Sequence, residues 1–362
     1  MTDGNGADRA EGETMRGVLR TASREVRVAD VPRPRLEPGT AIVRVRASGI
    51  CGSDLHIYRS LDAPETLPPH FGHEVAGEVV AIAPHAGEPS SLREGDLVAL
   101  DTICLGRACG ACRWCAEGAF NHCQQRRQGP DWSGAFAEYL KRDVRGLFPL
   151  PAGVGVEAGA LVEPLAVGVH AARRASLRPG ETVAIVGAGT IGLTCLMAAV
   201  AMGAGAVYVL ARHPFQAELA RSLGATAALL DPPDAAAERV RQETGGGADV
   251  VFETVGGSAT TLDQSWSLAR HRGRVVVLGV FDGAVPVRLG PALGREVDAL
   301  FANCYGVLDG RHDYDVALEY IASGKAPVDR LLTHRFPLED AAAAFRTADD
   351  KRSGAVKVQL FP

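Results

Sequence analysis

The sequence predicts an α/β protein in two parts, a mostly-β part followed by a doubly wound parallel sheet. Three observations carry that expectation. The chain has 362 residues, more than the roughly 250–300 at which a single core stops growing. From residue 15 to about residue 161 it breaks into short β-rich pieces separated by turns. After Pro179-Gly180 the texture changes to strand, glycine turn and helix in alternation, the signature of a parallel sheet with helical crossovers.

Taken in order, residues 1–14 are polar, acidic and glycine-rich with no apolar stretch. They read as a frayed tail and not as a signal or transit peptide, and the chain reads as cytoplasmic. Runs of β-forming residues place strands over 41–46, 74–82 and 96–100. In the second part, strands are expected at 182–186, 206–210, 249–254 and 274–280. Residues 182–210 carry no charge and are long enough to cross a bilayer. Gly187, Gly189, Gly192, Gly203 and Gly205 punctuate that run, however, where a strand would turn into a helix and then into a second strand. Parallel strands buried on both faces read as apolar runs.

The tail returns to a helix at 314–323, a Pro-led amphipathic helix at 337–348 and a last strand at 355–360. It is too short to be a domain and is expected to fold back on the first part. The expected division is therefore 15–165 with 308–362, and 166–307 inserted between them. Composition limits the partners: 46% hydrophobic and 22% charged residues describe a globular chain. A net charge of −5 without a basic block offers no footprint for nucleic acid or an anionic membrane, which leaves a small molecule.

Cys109, Cys112, Cys115 and Cys123 are spaced C-x2-C-x2-C-x7-C, so one loop brings four thiolates to a single tetrahedral Zn2+. Disulfides are the competing reading, disfavoured in a reducing compartment. With all four positions filled by protein, such a zinc is structural, and chemistry must sit elsewhere. Cys104, just before the loop, reads as a spare buried thiol that could compete as a ligand.

A second set has a different character. Cys51 in Gly49-Ile-Cys-Gly-Ser-Asp-Leu-His56, His73 and Glu74 in Gly72-His-Glu-Val-Ala-Gly77, and Glu163 before Pro164 suggest a mixed Cys/His/Glu site with one position left for water or substrate. Gly187-Ala-Gly189-Thr190-Ile191-Gly192 directly follows an expected strand and opens a helix. In that context the glycines let the backbone approach a pyrophosphate at a helix N-terminus. Val255 in Glu253-Thr-Val-Gly256, and Gly279 and Val280 in Leu278-Gly-Val280, end later strands on the same sheet edge and are expected to flank a nicotinamide.

These motifs, with Glu163-Pro-Leu-Ala-Val-Gly-Val-His170, resemble the zinc-containing medium-chain dehydrogenase/reductase superfamily over essentially residues 15–362. The Glu163 segment is most similar to the polyol (sorbitol) dehydrogenase branch. The resemblance implies a GroES-like catalytic domain and a Rossmann domain, and a hydride transfer between a secondary alcohol and a nicotinamide. It implies Cys51 and His73 as ligands of a catalytic zinc, with Glu74 and Glu163 sharing the remaining role. Ser53 and His56 then form a proton relay, unless they are a turn serine and a surface histidine.

By family register Ala211 falls at the position where NAD enzymes carry an acidic residue, and Arg212 after it is suited to a 2′-phosphate. NADP(H) is therefore preferred, with NAD(H) possible if Arg212 is only a surface charge. Asn303 is placed at the cofactor and substrate pocket, although no arginine like that of true sorbitol enzymes stands nearby. Two zincs per chain and a homodimer or homotetramer complete the expectation. A redox-inactive NADP-binding scaffold on the same fold is the alternative.

Overall fold

The computed structural model describes residues 13–61, 71–87, 91–128, 134–257, 259–281 and 283–362. Most of the tail expected over 1–14 lies outside them. Thr14, however, already belongs to a strand: β1 (Thr14–Ala22) pairs antiparallel with β2 (Glu25–Pro32), Thr14 opposite Pro32.

There follow β3 (Thr40–Ile50), β4 (Glu74–Ala83), β5 (Leu97–Asp101), β6 (Tyr139–Asp143) and β7 (Leu147–Pro149). The second sheet contains β8 (Thr182–Val186), β9 (Ala206–Leu210), β10 (Ala227–Leu229), β11 (Ala248–Glu253), β12 (Ala269–Val277) and β13 (Asp298–Phe301). After a short hairpin of β14 (Val307–Leu308) and β15 (Arg311–His312), the tail supplies β16 (Leu332–Pro337) and β17 (Lys357–Phe361).

The first sheet has the order β16-β17-β3-β4-β5-β7, with β6 also on β3. The second runs β10-β9-β8-β11-β12-β13, and every pairing in it is parallel. This is the expected doubly wound sheet. Its strand order reverses beside β8, and the crevice outside the carboxyl ends of such strands is where ligands bind. In β8 and β9 all residues but the first are buried, as covering both faces with helices requires.

The helix Thr190–Ala201 is apolar all round, the mark of a helix buried on every side. It packs on the helix Val162–Arg174. One apolar core joins Ala99 and Phe148 of the first sheet to Leu165, Val183, Ile185 and Leu196. Among the described residues no helix is long and apolar enough to cross a membrane.

Several expected boundaries shift. The strand expected at 274–280 is β12, which begins five residues earlier in a charged stretch with exposed His271 and Arg272 and ends at Val277. Pro337 closes β16 and does not open a helix; a 3-10 turn, Leu338–Asp340, leads into the helix Ala341–Asp349. The return of the tail positions the site. β17 places Val358 opposite Ile50, and β3 places Gly49 opposite Glu74, so residues 51, 73 and 357 converge at one end of the sheet.

Candidate metal and cofactor site

The four cysteines of the loop converge. Sγ of Cys115 is 3.5 Å from that of Cys112 and 3.9 Å from that of Cys109. A tetrahedron with Zn–S bonds of about 2.3 Å has edges of about 3.8 Å, so the set fits an ion held by all four thiolates; a disulfide would need about 2.05 Å. Backbone amides point at the sulfurs: Ala111 N donates to Cys109 Sγ (3.5 Å) and Cys109 N to Cys123 Sγ (3.4 Å). The Ala111 and Cys112 amides hold the Cys109 thiol down at about 6, which favours the thiolate that a metal binds. Cys104 is not in this set; it is buried, and its thiol meets that of Cys304.

Among the described residues these four are the one group of three or more such donors whose ligand atoms all lie within 4.8 Å of one another. Cys51, His73 and Glu163 share a neighbourhood but are not drawn that close. Cys51 directly follows β3 and N-caps the helix Gly52–Arg59, His73 precedes β4, and Glu163 sits in the first turn of Val162–Arg174. The Cys51 sulfur is within hydrogen-bonding reach of the His73 ring, and Ser53 Oγ is 3.5 Å from His73 Nε2. Burial works against a charged His73 ring, yet Asp54, Cys51 and Glu163 hold it well above the usual histidine range. Burial pushes Glu163 up to about 8, with His73 pulling the other way. A half-buried sulfur beside a buried imidazole and a buried carboxylate calls for a cation, and the donor set fits zinc.

Two residues absent from the expectation organise this set. Asp54, fully buried, accepts from the amides of Cys51 (2.8 Å) and Gly72 (2.9 Å), and its Oδ1 lies 3.7 Å from His73 Nδ1. A carboxylate behind the ring leaves Nε2 as the metal-facing nitrogen. Lys357 donates to both carboxylate oxygens of Glu74, 2.6 Å to Oε2, and to Ile50 O at 3.1 Å. Glu74 is thus engaged by a buried ammonium, whereas the carboxylate of Glu163 makes no hydrogen bond among the described residues. Ser53 and His56 are both exposed, one helical turn apart.

At the sheet edge, Gly187 has φ +104°, and a Cβ on Gly192 would sit 2.0 Å from Gly187 O. Gly189 N-caps the next helix, and nothing lies within 4 Å of where its Cβ would be. One glycine makes the turn, one lets the helix pack, and one leaves room for a ligand against the backbone. Thr190 follows, its hydroxyl turned to Val356 O at 2.9 Å, and half-buried Ile191 continues the turn. Gly187 N donates to Leu210 O (3.1 Å), which sets Ala211 and exposed Arg212 beside this turn. Val255 and Val280, 49% and 72% exposed, lie in the loops just beyond the ends of β11 and β12. Gly257 N donates to Val280 O and Gly279 N to Glu253 O, tying the two ends together.

Residues 37–152 match the alcohol dehydrogenase GroES-like domain family, and residues 190–323 match the zinc-binding dehydrogenase family. The chain is 32% identical to the sorbitol dehydrogenase of Bacillus subtilis (strain 168) over 357 residues, covering 97% of this chain and 98% of that protein. It superposes with a TM-score of 0.86 and 30% identity on an Escherichia coli oxidoreductase/dehydrogenase of unknown specificity, covering 96% of this chain and 99% of that one. A Sinorhizobium meliloti protein solved bound to NADP gives a TM-score of 0.81 at 30% identity, covering 97% and 100%.

Proposed function

The chain belongs to the zinc-containing medium-chain dehydrogenase/reductase superfamily, and on that footing we propose that it interconverts a secondary alcohol of the polyol, cyclitol or cyclic class with its ketone. What supports this reading is the mixed set of Cys51, His73 and Glu163 gathered in one neighbourhood, in a chain that also carries a doubly wound parallel sheet with a glycine turn after its first strand. The relatives named above are dehydrogenases, and none of them supports a redox-inactive scaffold. The fold comprises a GroES-like and a Rossmann part; 15–165 with 308–362 form the first in this reading, and 166–307 the second.

Glu163 is the carboxylate ligand, with Cys51 and His73, because Lys357 engages Glu74. A zinc ion there supplies Lewis acidity that makes an alcohol hydroxyl easier to deprotonate. Ser53, beside His73 Nε2, accepts that proton, and exposed His56 passes it to solvent. The amides around Gly187, Gly189 and Gly192 hold the cofactor's pyrophosphate, and Val255, Gly279, Val280 and Asn303 border its nicotinamide. The second zinc sits in the four-cysteine loop. Cys112→Ser should lose one zinc per chain by metal analysis and lower Tm before it lowers kcat; full zinc retention would remove the structural ion.

NADP(H) is the preferred cofactor in this reading, since Ala211 presents no carboxylate to repel a 2′-phosphate and the exposed Arg212 after it is of a type suited to pair with one. Arg212→Asp should lower kcat/KM for NADP+ by about 10–100-fold, as expected of a charge-assisted pair worth about 1.5–3 kcal/mol, and barely change it for NAD+. A wild-type preference for NAD+ would overturn the assignment. A homo-oligomer is supported by the open sheet edge at β13, where Leu289, Leu293 and Phe301 are exposed. The deciding experiment for the function as a whole is a screen of sorbitol, 2,3-butanediol and cyclic ketones with both nucleotides. No turnover of any of them by the two-zinc protein would sink the substrate class.

A further inference from the structure

We propose that the four-cysteine lobe acts as a clamp on the substrate pocket, with Asn121 as the positioning residue. The inference rests on the reading of Cys51, His73 and Glu163 as the catalytic set. Residues 302–307 leave β13 and run between that set and the lobe. Within them Cys304 holds φ +58°, a left-handed conformation uncommon for a residue with a side chain. Its thiol meets that of Cys104 and stands in the field of His73 and Glu163, which brings this turn beside the proposed catalytic set. A conformation of this kind persists where its surroundings over-determine it.

The lobe supplies that constraint on both sides of Cys304. Asn121 Nδ2 donates to Asn303 O at 3.1 Å, one residue before it. Val307 N donates to Gly118 O at 3.0 Å, three residues after it. The two backbones approach closely: a Cβ on Gly306 would lie 2.4 Å from Gly118 O, and one on Gly118 would lie 2.5 Å from Val307 Cβ. The anchors of Tyr305 and Gly306 are independent of the lobe, through Tyr305 OH to Asp101 Oδ1 (3.3 Å) and Gly306 N to Asp313 Oδ2 (2.9 Å). Losing the Asn121 bond therefore leaves the segment attached and frees the turn at Cys304. The four-cysteine lobe thereby bears on the substrate side through Asn121 and Gly118, without giving a ligand to the catalytic set.

The test uses zinc-loaded, full-length Asn121→Ala and Asn121→Asp, the second nearly isosteric but without the amide donor. Both should keep the wild-type zinc content. Hydrogen exchange followed by mass spectrometry should speed up in the peptide spanning 302–307 by about two- to tenfold, the worth of one hydrogen bond, with 109–123 unchanged. KM for sorbitol or 2,3-butanediol should rise by the same factor, with kcat within about twofold. Wild-type exchange across 302–307 in both variants would overturn the clamp, and so would zinc loss, which would make Asn121 a part of the lobe alone. If the wild type oxidises neither alcohol, the polyol reading fails while the exchange measurement still decides the clamp.

Discussion

Cys51→Ala is expected to lower kcat/KM by about a thousandfold or more while leaving the protein folded. The magnitude follows from what the sulfur does in the proposed set. Lewis-acid polarisation contributes several kcal/mol to the transition state, and each 1.36 kcal/mol is about a factor of ten in rate. The fold is expected to survive because the backbone contacts of residue 51 do not need the thiol. Its amide still donates to Asp54 Oδ2, and Leu55 N still bonds its carbonyl. The cost to stability should stay near 1 kcal/mol, as for loss of a helix cap side chain. Circular dichroism and thermal melting check the fold, and elemental analysis should find one zinc fewer per chain. A Cys51→Ala protein that retained turnover would leave the mixed set without a catalytic role.

How much of this was legible before the structure depends on how local each signal is. The strands at 182–186 and 206–210 and the Gly187–Gly192 turn were readable because burial on both faces leaves unbroken apolar runs and because the turn needs a glycine at φ +104°. The β1–β2 hairpin was not. Its turn passes through Arg24 at φ +59°, where the common signal would be Gly or Asn. The start of β12 was hidden for another reason: Arg270, His271 and Arg272 form strand without an apolar pattern. In the site, Cys51, His73 and Glu163 carry motifs of their own, whereas Asp54 is recognisable only once the fold sets it behind His73. Asn121 and Asn303, 182 residues apart, leave no trace in a periodicity.

Lys357 is the extreme case, because nothing near it in sequence announces its partner 283 residues away. Lys357→Met should destabilise the protein by about 3–5 kcal/mol, the usual cost of leaving a buried charge alone. Lys357 is 1% exposed and Glu74 0%. Burial pulls the ammonium down, and Glu74 outweighs it, so that Lys357 stays above the ordinary lysine range. All three ammonium donors are used, on Glu74 Oε1, Glu74 Oε2 and Ile50 O, which is why the pair is tolerated in a dry interior. Methionine fills much of the volume and supplies none of those donors, so Glu74 is left with an unmatched charge at the end of β4. Thermal melting should show a fall in Tm on the order of 5–10 °C.

The double variant Glu74→Gln/Lys357→Met separates the causes, since removing both charges of a buried pair is often close to neutral. It should recover most of the lost stability. If it melts no higher than Lys357→Met alone, the lysine acts through packing of β17 against β3 and not through the ion pair. Recovery of stability with zinc content intact would support the division of labour argued above, in which Glu163 faces the metal and Glu74 ties the returning tail to the catalytic sheet.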